Sequence, residues 1–311
     1  MIQKRDSVFI VIVALAIGYV SYQLQSDKLI LADPKPALND TADLSNQGIL
    51  VTPEGASVEE LPDFKRYSDV KHKKAKFFAF LLPLIEQENA RIATDRQRLL
   101  SIHRSLHQLS DAKLLQDKLL QNNTATISSS KNDALIDEKQ RQWIYQLAAY
   151  YRLEPSSQSD NQLLKKLLNR VDIVPTSLAL SQSANESAWG TSRFAVKGNN
   201  LFGQWCFRQG CGLIPRLRPE GARYEVAKFD TPAKSVASYM RNLNTNSAYL
   251  YFRELRSELR DEQQVLSGEY LAQGLESYSI RGQHYINELQ AMIRVNKLAR
   301  FDGEVTALSD G

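Results

Sequence analysis

Two cysteines and four histidines in 311 residues leave too few soft ligands for a metal cluster and too few bridges for a disulfide-built scaffold. Glycine and proline are also scarce, fourteen and ten residues, below the usual combined share of about 12%. So few breakers over this length favour long helices over a many-stranded sandwich or barrel. A net charge of only +4 lacks the concentrated basic face of a nucleic-acid binder, so nucleic acid is not an expected partner. What is present is a globular balance, 43% hydrophobic and 24% charged, able to bury a sizeable core in about two folding units.

The first feature along the chain is an address. Lys4 and Arg5 precede a charge-free run from Ser7 to Ser26, with a strongly apolar centre from Val8 to Val20. As a helix the whole run would span about 30 Å, the thickness of a bilayer's hydrocarbon. The apolar centre also suits a signal peptide, but Ser-Tyr-Gln-Leu-Gln after Val20 offers no Ala-x-Ala cleavage site, which favours a retained anchor over residues 1–26. Either reading exports the rest of the chain. Residues 27–62, rich in Pro, Asp, Asn, Thr, Ser and Gly from about Asp33, read as a tether.

A helical region is expected over 63–132. Val70 to Leu82 has a basic start and an apolar end, and Pro83 is expected to kink or end a helix nearby. Ile92, Leu99, Ile102, Leu106 and Leu109 form an amphipathic stripe. Lys71, Lys73, Lys74 and Lys76 read as a solvated face that the tether keeps near anionic lipid. His103 and His107 have a zinc-compatible spacing but no third ligand and no glutamate base, so they read as two partly exposed histidines. A polar loop, Gln121 to Asn132, separates this region from a second unit over 133–300, with a tail at 301–311.

The chemistry lies in that second unit. Val174 to Gly190 reads as one helix, with Pro175 in its first turn and Gly190 as a left-handed cap. Ala179, Ser183 and Glu186 share a face whose small residues invite close packing, which half-buries Glu186 near the negative end of the helix dipole. Both effects raise a carboxyl's pKa, and Trp189 would add an apolar wall. A carboxylic acid kept protonated near neutral pH is what a glycosidase needs to protonate a leaving oxygen.

The surrounding residues carry a resemblance. Ala184-Asn-Glu-Ser-Ala-Trp-Gly-Thr-Ser-Arg-Phe194, followed by Gly198-Asn-Asn-Leu-Phe-Gly203, Asn246-Ser-Ala-Tyr249 and Tyr278-Ser-Ile-Arg-Gly-Gln-His-Tyr-Ile286, is similar to the N-acetylglucosaminidases of glycoside hydrolase family 73. Those enzymes belong to the lysozyme-like superfamily and cut bacterial peptidoglycan. Leu61-Pro-Asp-Phe64 and the Lys-rich segment through Ile92 resemble the N-terminal extension of its bacterial Bax-like subgroup. The resemblance implies a mainly α, lysozyme-like (α+β) catalytic domain with a small β-hairpin, preceded by N-terminal helices and the anchor. It implies Glu186 as general acid, Tyr249 as the active-site tyrosine, and Asn200, Phe202 and Gly203 as support for the cleft, with Asn200, Phe202 and Trp189 as substrate-binding candidates, Phe202 reading equally as core packing. Peptidoglycan glycan strands would be the substrate, with no metal or organic cofactor, at the periplasmic face of the inner membrane, or free in the periplasm if the N-terminal segment is cleaved.

The second acid is expected on a hairpin from Leu213 to Phe229 with a turn at Pro219-Glu220-Gly221. Glu225 on the return strand is the first choice, with Glu220 and Asp230 as alternatives, and each also reads as a solvated charge. Inversion, a covalent intermediate and use of the substrate's own N-acetyl oxygen all remain open. Arg216, Arg218 and Arg223 would attract the polymer's acidic lactyl-peptide portion. Cys206 and Cys211 bracket a short loop, most simply a disulfide in an exported chain; four intervening residues do not match a redox pair, and no second ligand pair completes a zinc site. A non-catalytic cell-wall binder that retains the fold is the alternative function.

Overall fold

The computed structural model describes residues 60–120, 136–155 and 159–303. The expected anchor, the tether up to residue 59 and the polar loop at 121–132 lie outside them. Among the described residues no helix is long and apolar enough to cross a membrane.

A 3-10 turn at Phe64–Arg66 leads into the long helix α1, Val70–Leu120. Asp69 caps its start, accepting a hydrogen bond from the His72 amide at 2.6 Å. Pro83 lies inside α1 rather than ending it. Its ring is on the exposed side, while Leu81, Leu84 and Ile85 are buried, and that packing outweighs the cost of about 3 kcal/mol for an interior proline. Ile92, Leu99 and Ile102 continue the buried stripe. His103 and His107 bring their Nε2 atoms to 3.3 Å on an exposed face.

Two shorter helices follow, α2 (Glu138–Tyr150) and α3 (Asp160–Arg170), each opened by a reciprocal capping box, Asp137 with Gln140 and Ser159 with Gln162. The central helix α4 is Thr176–Glu186, and Thr176 through Ala184 are all buried. Next come α5 (Arg193–Gly198) and a three-stranded antiparallel sheet of β1 (Trp205–Cys206), β2 (Gly212–Leu213) and β3 (Glu225–Ala227), in the order β1-β3-β2. Then follow α6 (Pro232–Thr245), a 3-10 turn at Ser247–Tyr249, α7 (Leu250–Asp261), α8 (Gly268–Leu271), a 3-10 stretch at Ala272–Tyr278, α9 (Gln283–Val295) and a last 3-10 turn at Leu298–Phe301. The architecture is mainly α with a small sheet, as a lysozyme-like domain requires. The expected hairpin is β2–β3, pairing Leu213 with Val226, and Pro219–Gly221 lies in its turn region, where the Ala222 amide donates to the Pro219 carbonyl.

The helix before the polar loop is not a separate layer. α1 packs against α3, α4 and α6, and all the described residues fall in one compact unit. A buried charge cluster reinforces this union. Asp172 is almost fully buried and meets Arg96 of α1 at 3.4 Å and Arg260 of α7 at 2.8 Å. Arg256 of α7, also buried, donates to the Asp172 and Ile173 carbonyls and to Asn244 Oδ1. Burial alone would raise the Asp172 carboxyl, but Arg256, Arg96 and Arg260 outweigh it and hold it below its ordinary value.

The start of α4 is capped from far away. Pro175 offers no capping side chain. Asp302 replaces it, accepting from the Ser177 amide at 2.8 Å, the Ser177 hydroxyl at 2.7 Å and the Gly268 amide at 2.9 Å. Asp302→Ala should therefore cost about 1–2 kcal/mol of stability, the range for a lost helix cap. A denaturant titration with an unshifted midpoint would contradict this.

Candidate active site

Glu186 is the last residue of α4, and the helix stops there, four residues short of the expected glycine cap. Ser187 closes the helix, and Ala188, Trp189 and Gly190 all have positive φ, at 49°, 59° and 76°. Two consecutive non-glycine residues in the left-handed region are costly, so surrounding structure must hold them. The Trp189 amide donates to the Ala184 carbonyl at 3.0 Å and the Gly190 amide to Ser187 Oγ at 2.8 Å. The N-terminal segment supplies the rest. Phe64 packs so closely that a Cβ on Gly190 would lie 2.5 Å from its ring, while Phe77 and Phe78 meet Trp189 edge-on at 5.8 and 5.2 Å. The Lys74 ammonium lies 4.7 Å from the Trp189 ring centre.

A second backbone segment presses on the carboxylate itself. Gly203 has φ +64°, and a Cβ there would sit 3.1 Å from Glu186 Oε2, so only glycine lets the Asn200-Leu-Phe-Gly203 turn approach this closely. Asn200 ties that turn together: its Oδ1 accepts from the Phe202 and Gln204 amides, and its Nδ2 donates to the Gln204 carbonyl and to the carbonyl of Ala227, the last residue of β3. Phe202 stacks on Tyr239 with centroids 3.9 Å apart and planes 7° apart, and Tyr278 donates to the Phe202 carbonyl at 2.7 Å.

Burial pushes the Glu186 carboxyl above its ordinary value; the Tyr285 hydroxyl, within hydrogen-bonding reach, and the Arg281 charge pull it partly back, and Glu288 adds to the rise. The Tyr285 hydroxyl is itself oriented. Gln182 Nε2 donates to it at 3.1 Å, and Tyr239 donates to Gln182 Oε1 at 2.6 Å. With its oxygen occupied as an acceptor, the Tyr285 proton is free to point at Glu186. Tyr249, buried with its ring 5.8 Å from Tyr278, has its pKa raised by burial and by the negative charge of Glu186, which places both groups in one electrostatic environment.

The structure thus brings Glu186, Tyr249, Gly203 and the 278–286 segment together, and it reassigns four expected site residues. Asn200, 1% exposed, has its side chain spent on backbone groups and is a turn brace rather than a substrate contact. Phe202, also 1% exposed, is core packing under Tyr239. Trp189 faces α1, where it anchors the turn after Glu186. Glu225 is buried at the sheet, and its two oxygens accept from the Gly210 and Gly212 amides at 3.0 and 2.7 Å, bonds that lower its pKa. It braces the loop of the Cys206–Cys211 disulfide, whose Cα atoms are 6.2 Å apart, with both of its oxygens engaged there. Glu220 is exposed at the tip, and Asp230 is held by Lys234 at 2.6 Å. Arg216 and Arg223 are exposed, whereas Arg218 donates to the Tyr224 carbonyl.

Sequence reasoning assigned no role to Gln182, Tyr239 or Tyr285. Gln182 was open to discovery, since it lies four residues before Glu186 and so on the same face of α4. Tyr285 lies in the Tyr278–Ile286 motif that resembles the family, which was its signal, whereas Tyr239 gave none, because only the fold brings α6 to that face.

A family profile described as "Glucosaminidase: Mannosyl-glycoprotein endo-beta-N-acetylglucosaminidase" matches residues 161–298, which span every group named at this site except the N-terminal phenylalanines and Lys74. "Protein bax" of Escherichia coli (strain K12) is 31% identical over 242 residues, covering 78% of this chain and 76% of that protein. No solved structure matches. The relative's alignment reaches well beyond the profile's span, and from the two together the chain belongs to the glucosaminidase family, glycoside hydrolase family 73, in its bacterial Bax-like branch.

Proposed function

We propose that this chain is a peptidoglycan hydrolase that cuts glycan strands after N-acetylglucosamine, with Glu186 as the general acid. The family supports a peptidoglycan hydrolase-like activity. The observation that carries the finer reading is the environment of Glu186: burial favours the protonated acid before reaction, and the oriented Tyr285 hydroxyl favours the carboxylate formed after it. The Glu186 proton passes to the glycosidic oxygen as the bond from the anomeric carbon to that oxygen breaks.

With Glu225 committed to Gly210 and Gly212, the geometry favours the substrate's own N-acetyl oxygen as the group that attacks the anomeric carbon. Tyr249 would position that group. Water then opens the resulting ring and returns one proton to Glu186, restoring the acid. The catalytic unit would work at the periplasmic face of the inner membrane, held there by residues 1–26.

The test of enzyme against wall binder uses purified sacculi. The full chain should solubilise muropeptide fragments; sedimentation with sacculi and no release over long incubation would establish the binder instead. A companion variant checks the reassigned acid. Glu225→Gln should keep most of the hydrolysis while amide exchange at Gly210 and Gly212 speeds up. Loss of turnover with the loop amides still protected would restore Glu225 as the base.

A further inference from the structure

An exposed ion pair lies beside Tyr285, the tyrosine that reaches Glu186. Arg281, in the turn between the Ala272–Tyr278 stretch and α9, donates from Nη1 to both carboxylate oxygens of Glu288, at 2.6 and 2.7 Å. The two side chains are 45% and 47% exposed, so solvent and ligand both reach them. The Arg281 guanidinium carbon lies 5.4 Å from the Tyr285 ring centre, and Tyr285 is stacked on Tyr278, with planes 2° apart. Among the described residues only Nη1 of this guanidinium is engaged. The Nε–Nη2 edge, the fork that fits a carboxylate with two parallel hydrogen bonds, carries no partner. Glu288 therefore holds Arg281 by one corner and leaves its best recognition edge open beside the tyrosine that reaches the candidate acid. Both charges act on Glu186, Arg281 lowering and Glu288 raising its pKa, so the pair lies within electrostatic reach of the candidate acid.

We propose that Arg281 is a specificity-determining residue that binds a carboxylate of the glycan's acidic sugar through its Nε–Nη2 edge, selecting acidic strands over neutral polymers of N-acetylglucosamine. This rests on the glycan-strand reading above and deepens it by naming the recognised chemistry. Two sources supply such a carboxylate: the lactyl ether of the acidic sugar when no peptide is attached, and the stem-peptide acids when one is. Glu288 sets the strength of the preference. It steadies the guanidinium, but its own negative charge opposes the arriving carboxylate.

The experiment compares binding of three soluble probes: peptide-free glycan strands, peptide-bearing strands and neutral chitooligosaccharides. The full chain carries Glu186→Gln throughout, so that turnover does not consume the probes. Adding Arg281→Gln should lower the acidic-to-neutral affinity ratio about tenfold, the scale of one charge-assisted contact at a partly exposed site. Arg281→Lys should recover only part of that loss, because it restores the charge without the fork. Glu288→Gln should raise the ratio. Loss on peptide-free strands assigns the lactyl carboxylate; loss confined to peptide-bearing strands assigns the peptide acids. An unchanged ratio in Arg281→Gln on both acidic probes, or an equal fall in Arg281→Gln and Glu288→Gln, overturns the proposal, the latter because a pair that only braces α9 loses equally from either side. Fragment release by the chain with Glu186 intact is scored separately. A shifted binding ratio without release would keep this inference and sink the hydrolase, and release with an unshifted ratio would do the reverse.

Discussion

Glu186→Gln should leave a folded protein that has lost at least about two orders of magnitude of hydrolytic rate on sacculi, the usual minimum for removing a general acid. Gln keeps the volume and accepts a hydrogen bond from Tyr285 but has no proton to give at any pH. Stability should not fall. A carboxyl raised by burial stabilises the fold fully only below its unfolded-state pKa, and that contribution is lost as pH rises through the folded value. The neutral amide removes this penalty, so the variant should melt at or above the parent's temperature near neutral pH. The same shift sets the pH profile. Activity should decline on the alkaline side at a pH above the ordinary carboxylate range, as Glu186 ionises against burial, with Tyr285, Arg281 and Glu288 setting where. A folded Glu186→Gln protein with undiminished clearing in a zymogram would remove Glu186 from the mechanism.

Asp172→Ala should be the most destabilising change at a single charge, costing about 3–5 kcal/mol, because it leaves the buried Arg256 with no carboxylate and removes the partner of Arg96 and Arg260. The contrast with Asp302→Ala is one of burial and charge: a cap costs less than a stranded guanidinium. The pH sign is opposite to that of Glu186. The depressed pKa of Asp172 contributes stability that is present above the unfolded carboxylate value and is lost as pH falls through the folded one. The parent should therefore unfold in acid with a contribution that Asp172→Ala lacks. Equal melting temperatures for parent and variant at neutral pH would contradict the role given to this cluster.

How much of this was legible in the sequence depended on whether the cause was local. Glu186, the small-residue helix face it shares with Ala179 and Ser183, and the close cysteine pair were readable because each rests on neighbours within one or two turns. The end of α4 was misjudged because Gly190 looks like a helix cap, yet the left-handed turn begins at Ala188 and is held by Phe64 and Phe77, more than a hundred residues upstream. Pro83 passed through α1 because tertiary burial of its neighbours outweighed a local penalty. Glu225 misled for a similar reason. Its place on the return strand was right, but the partners that occupy it come from the disulfide loop on the facing strands, and one sequence does not give that register. Trp189 and Phe202 show the usual ambiguity of aromatic residues beside a motif: both serve packing, one against α1 and the other under Tyr239.

The most direct test of the central claim is the identity of the new reducing end. Sacculi digested by the full chain, reduced with borohydride and analysed by mass spectrometry should yield fragments ending in reduced N-acetylglucosamine, and Glu186→Gln should yield none. Fragments ending in the reduced acidic sugar instead would show cleavage on its other side and contradict the assignment.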